Sequence, residues 1–85
     1  MAEIIKKCDK KYFDLIEQGK KDFEVRLADF EINEGDEFVL NEVVDGIPTG
    51  KSLRRKVKYV AKTKGMTYWP KEEIDKYGYQ IIGLE

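Results

Sequence analysis

From Leu27 to Asp45 the chain carries seven carboxylates and no cation, and from Gly46 to Lys71 it carries eight cations and no carboxylate. The switch falls on Asp45-Gly46, and Asp-Gly between two alternating segments is a strong short-range hairpin signal. An acidic strand folded back on a basic one brings opposite charges across the ladder, each exposed pair contributing about 0–1 kcal/mol. The basic run also has the character of an electrostatic footprint for nucleic acid. Arg54, Arg55 and Lys56 are consecutive, so only alternate members share a strand face.

With 85 residues the chain is expected to form one domain around a single modest core. The segment AEIIKK reads as a first strand. Asp9 is placed to cap a helix from about Lys10 to Gln18, whose Phe13 and Ile16 form an apolar stripe and which Gly19 ends. DFEVRL alternates, which predicts Phe23 and Val25 on the core face and Glu24 and Arg26 on the opposite one. Gly35-Asp36 is read as turn chemistry ahead of a strand from about Glu37 to Val44. A long strand from about Leu53 to Ala61, a helix from about Lys71 to Tyr77 and a final strand in YQIIGLE complete the order. Five strands, two short helices and hairpin connections predict an α+β fold built on a small, partly open β-barrel.

Composition excludes several chemistries. There is no histidine, and Cys8 is the sole cysteine, so serine-histidine and cysteine-histidine catalysis, the usual zinc sites and an internal disulfide are all ruled out. No metal and no cofactor is expected, and Cys8 is read as a small buried hydrophobe. No 18-residue apolar run is present to span a membrane, and MAEIIKKCDKK lacks an apolar leader core, so a cytoplasmic monomer is expected.

The remaining candidates cluster in GKKDFEVR, Gly19 to Arg26. The loop after the first helix exposes Lys21, while Glu24 and Arg26, two apart on a strand, share one face toward a cleft. A guanidinium presents a planar fork to phosphate or a base edge, an ammonium a mobile point charge, and a carboxylate accepts from an exocyclic amine. The bland alternative is an ion pair between Glu24 and Arg26 that serves structure alone. Tyr68-Trp69 reads either as a stacking platform for an unpaired base or as the plug of a small core. Tyr12 and Phe13 read as core, with the Tyr12 hydroxyl in reach of the cleft.

YFDLIEQGKKDFEVR, DFEINEGDEFVL, PTGKSLRRKVKYV and the closing YGYQIIGLE together resemble the ASCH domains, compact members of the PUA-like superfamily. The likeness is to the small stand-alone branch and covers essentially the whole chain. Its Gly-x-Lys-x-x-Glu-x-Arg element corresponds here to Gly19, Lys21, Glu24 and Arg26. What the resemblance implies is a barrel with a cleft beside the first helix and binding of RNA or a nucleotide-like molecule there. Lys21, Glu24 and Arg26 would form the centre, Arg54, Lys56 and Lys58 a phosphate-attracting rim, and Tyr68 and Trp69 a stacking surface. A few compact members hydrolyse an acylated cytidine, which makes a small amidohydrolase using Lys21 and Glu24 the alternative. Those relatives carry a threonine where this chain has Glu24, so their nucleophile is missing at the matching position.

Overall fold

The computed structural model describes residues 1–64, 70–76 and 78–85. The elements are β1 (Glu3–Asp9), α1 (Lys10–Glu17), β2 (Phe23–Leu27), β3 (Glu37–Val44), β4 (Ile47–Lys62), α2 (Lys71–Lys76) and β5 (Tyr79–Leu84). They form one five-stranded sheet in the order β1-β3-β4-β5-β2. β1 runs parallel to β3, and every other neighbour pair is antiparallel.

The parallel pair dictates where α1 goes. A parallel partner cannot be reached by a tight turn, so the chain leaves β1 through α1 and β2 before β3 returns alongside β1. α1 lays Phe13 and Ile16 into a core shared with Ile32, Phe38 and Leu40 of the acidic half and with Val57, Ile82 and Leu84. Gly19 ends the helix at φ +78°, a left-handed conformation open to glycine, and the amides of Lys20 and Lys21 fall back on the Leu15 carbonyl. Asp9 holds the extended N-cap conformation expected of it, yet its side chain makes no capping hydrogen bond.

The hairpin expected at the charge switch is present. Asp45 and Gly46 both have positive φ, 51° and 78°, the signature of a tight turn whose twist matches that of the flanking strands. β4 starts at Ile47, well before the expected Leu53, because β3 continues to pair with it down to Val44↔Ile47. Asp36 has the local role expected of it: its carboxylate accepts from the Asn33 amide at 2.8 Å and from the Ala2 amide at 3.1 Å, tying the turn to the start of the chain.

β2 corrects the sequence reading. Alternation is kept, but the faces are reversed: Glu24 is 4% exposed, whereas Phe23, Val25 and Leu27 look outward at 42%, 52% and 42% exposure. Period-2 patterning fixes which residues share a face and leaves open which face is inside. The barrel is likewise not closed by strand pairing, since β1 and β2 are the two edges of the sheet. Among the described residues a side chain spans the gap: Arg26 Nη2 on β2 donates to the Lys7 carbonyl on β1 at 2.7 Å. Among the described residues no helix is long and apolar enough to cross a membrane. Tyr68 and Trp69 lie outside the described residues.

Candidate functional site

A cavity of about 470 Å³ opens in this seam, between the end of β1, the first turn of α1 and the inner side of β2. Lys7, Cys8, Asp9, Tyr12, Lys21, Glu24, Val25 and Arg26 line it. Its size lies within the usual range for small-molecule sites, about 300–1,000 Å³.

The centre is an ion cluster assembled from six consecutive residues. Lys21, held at the end of the Gly19 turn, points its Nζ at Glu24 Oε1 at 2.6 Å. Arg26, two positions further along the same strand face, donates from Nε to Glu24 Oε2 at 2.9 Å. Each oxygen of the buried carboxylate is therefore met by a different cation, which is what burial of a charge demands. Lys21 Nζ also lies 5.0 Å from the Tyr12 ring centroid and 5.3 Å from that of Phe23, within cation–π range.

The cluster retains capacity for a ligand. One carboxylate cannot satisfy an ammonium with three donors and a guanidinium with five. Among the described residues, Arg26 spends Nε on Glu24 and Nη2 on Lys7, and Nη1 is unspent. Three cations and two carboxylates line the cavity, so a balance of positive charge remains. Cys8 forms part of the floor; its thiol is pushed up to about 11, first by burial and then by the negative charge of Glu24, which leaves it protonated and unreactive at neutral pH.

Lys21, Glu24 and Arg26 are thus brought together as the sequence predicted. Arg54, Lys56 and Lys58 are not brought to this cavity. Arg54 is ion-paired with Glu3 at 2.6 Å on the outer side of β1, and Lys56 and Lys58 line a separate hollow with Met1, Glu34, Gly35 and Glu85. The acidic and basic strands do pair, with Glu37 opposite Lys56. No ion pair among the described residues joins the two charge runs: Lys51 reaches Glu17 on α1 and Arg54 reaches Glu3 on β1.

Sequence reasoning missed Lys7 and Asp9 as wall residues. The available signal was their place at the carboxyl end of a strand that feeds directly into a helix, a recurrent position for ligand sites. It missed Gln80 as well, fully buried opposite Arg26, with its amide nitrogen on the Phe30 carbonyl at 3.3 Å. Among the described residues no cluster of three acidic or thiol side chains is arranged to hold a metal ion.

Comparison with known proteins finds relatives of undetermined role. An uncharacterized 12.9 kDa protein in the GpA 3'region of Escherichia phage P2 is 40% identical over 58 residues, covering 67% of this chain and 53% of that protein. The chain thus spans about half the length of this relative. The crystal structure of hypothetical protein PH0355 superposes with a TM-score of 0.69 at 23% identity, covering 100% of this chain and 98% of that one, a likeness of fold. The family model described as a domain of unknown function, DUF3850, matches residues 5–83, and the chain belongs to that family.

Proposed function

We propose that this chain is a PUA-like domain of the ASCH type that binds RNA or a nucleotide-like molecule in the seam between β1 and β2. The observation that carries the reading is the Lys21–Glu24–Arg26 cluster: a carboxylate paired on both oxygens, flanked by cations with donors left over, on the wall of a cavity of ligand size. Phosphate or the acceptor edge of a base would meet Arg26 Nη1 and Lys21 Nζ, while Asp9 offers an acceptor for an amino or hydroxyl group. The partly open barrel is supported by the Arg26 bridge to Lys7, which ties the two sheet edges together. The same arrangement favours gripping over hydrolysis. An ammonium engaged with Glu24 at 2.6 Å presents protons and has no lone pair to offer as nucleophile or base.

The test is an NMR titration with nucleoside monophosphates and short single-stranded RNA. Shifts should concentrate on residues 7–12 and 21–26, and RNA affinity should fall steeply from about 50 to 200 mM salt. Lys21→Ala and Arg26→Ala should each weaken binding. Absence of shifts at millimolar ligand would defeat the proposal, and deacylation of an acylated cytidine that disappears in Lys21→Ala would replace it with an enzyme.

A further inference from the structure

The reversed faces of β2 leave an apolar surface that the described residues do not cover. On the outer side of β2, β5 and β4, residues line up across three strands, and Gly83 is the register partner of both Phe23 on β2 and Tyr59 on β4. Phe23 and Tyr59 are 42% and 63% exposed, and Tyr79, further along β5 on the same outer side, is 55% exposed. A three-stranded face with solvent-facing aromatic rings is the kind of surface on which unpaired bases stack.

We propose that this face is a stacking platform for single-stranded nucleic acid, with a base seated between Phe23 and Tyr59 above Gly83. The missing side chain at Gly83 makes the slot. Two strand spacings separate the Phe23 and Tyr59 backbones by about 9.6 Å, room for one base stacked about 3.4 Å from a ring on either side. A cation lies over the Phe23 ring and another precedes Tyr59 in the chain. Lys21 Nζ lies 5.3 Å from the Phe23 ring, and exposed Lys58 is the extra residue of the β4 bulge immediately before Tyr59. Phosphates on the two sides of a stacked base are met by positive charge, and Lys21 joins the platform to the seam cavity, so one strand passes from one to the other.

A second copy of the chain fits this face less well. Three strands by three residue rows present about 300 Å² of surface, against about 800 Å² per partner in a stable interface. The inference takes the nucleic-acid character of the ligand from the function proposed above, and the experiment separates the two.

Labelled heptauridylate and unlabelled uridine monophosphate are titrated into wild type, Tyr59→Ala, Tyr59→Phe and Gly83→Val. The atoms nearest to a β-carbon at Gly83 are the Tyr59 backbone and β-carbon, at ordinary contact distances of 3.6–3.8 Å, so the β-carbon of Gly83→Val enters the slot without a backbone clash. Heptauridylate affinity should fall about tenfold in Tyr59→Ala and Gly83→Val and hold in Tyr59→Phe, which keeps the ring. Monophosphate shifts at Lys21 and Arg26 should be the same in all four proteins. Heptauridylate affinity within twofold of wild type in both disruptive variants, or no heptauridylate binding by wild type, overturns the platform. So does a wild-type dimer in sedimentation that Tyr59→Ala dissolves, which assigns the face to a second copy. Monophosphate binding unaffected by Lys21→Ala and Arg26→Ala would instead remove the seam reading while the Tyr59 dependence stands by itself.

Discussion

The β3–β4 hairpin carries nine charged side chains, none ion-paired to another within it, whereas the β1–β2 seam carries five and locks three of them, Lys21, Glu24 and Arg26, onto one another. In the hairpin, Arg54 meets Glu3 with both side chains about half exposed, and Lys56 and Lys58 are simply solvated. In the seam, Glu24 is buried, both of its oxygens are engaged, and the cations that engage it are themselves largely shielded. The difference is solvent. An exposed pair competes with water and salt, while a pair inside a cavity interacts through a lower dielectric and cannot be abandoned without stranding a charge. Density of charge along a sequence therefore says little about where charge acts.

The sharpest way to break this comparison is Glu24→Ala. It removes the shared partner of Lys21 and Arg26 and leaves two cations side by side on the β2 wall of the seam. A loss of about 2–3 kcal/mol is expected, since hydrogen bonds to charged groups and partly buried pairs are lost together. In a domain of this size that corresponds to roughly 10 °C or more in Tm. A denaturant midpoint indistinguishable from wild type would place the cluster in the same class as the hairpin charges.

Cys8 tests the low-dielectric character of the seam by a different route. Its thiol rises from 9.0 to about 11, burial being the first cause and Glu24 the second. A raised value means that the fold favours the protonated form. The stability contributed by this group is complete below pH 9.0 and is lost as pH climbs towards about 11. Urea midpoints measured between pH 8 and 10.5 should fall more steeply for wild type than for Cys8→Ala. Equal slopes would mean that the seam is wetter than its geometry implies.

How much of this was legible follows the same division. The helix was readable from Phe13, Ile16 and Gly19, and the hairpin from Asp45-Gly46, because each is fixed by local conformational preferences that a short window contains. The facing of β2 was not. Apolar Phe23 and Val25 pointed the reading inward, but β2 is a sheet edge beside a helix, and its inner side meets Lys21 and Lys7 where a core strand would meet apolar side chains. Lys21, Glu24 and Arg26 were readable as a group because their spacing already supplies a cation for each carboxylate oxygen. Lys7 joined them through its backbone carbonyl, which no residue-type pattern encodes. Arg54, Lys56 and Lys58 share a strand with one another, and none of them lines the seam cavity.

The smallest expected effect belongs to that strand. Arg54→Ala removes a short, well-formed contact, 2.6 Å to Glu3, that by distance alone looks as strong as the one between Lys21 and Glu24. Both partners are about half exposed, so the Coulomb attraction is screened by solvent, and two long side chains lose freedom to hold it. The expected cost is the smallest of the series, at the edge of what a denaturant midpoint resolves, and should shrink further as salt is raised from 0.1 to 1 M, where the Debye length falls from about 10 to 3 Å. Glu24→Ala measured across the same salt series should keep most of its penalty, because counterions cannot follow charges into a shielded seam. Two equal contact lengths would then give unequal energies, with burial as the deciding variable. If instead both penalties decline in parallel with salt, the seam exchanges freely with bulk solvent, and its cations would grip a ligand no better than the hairpin's do.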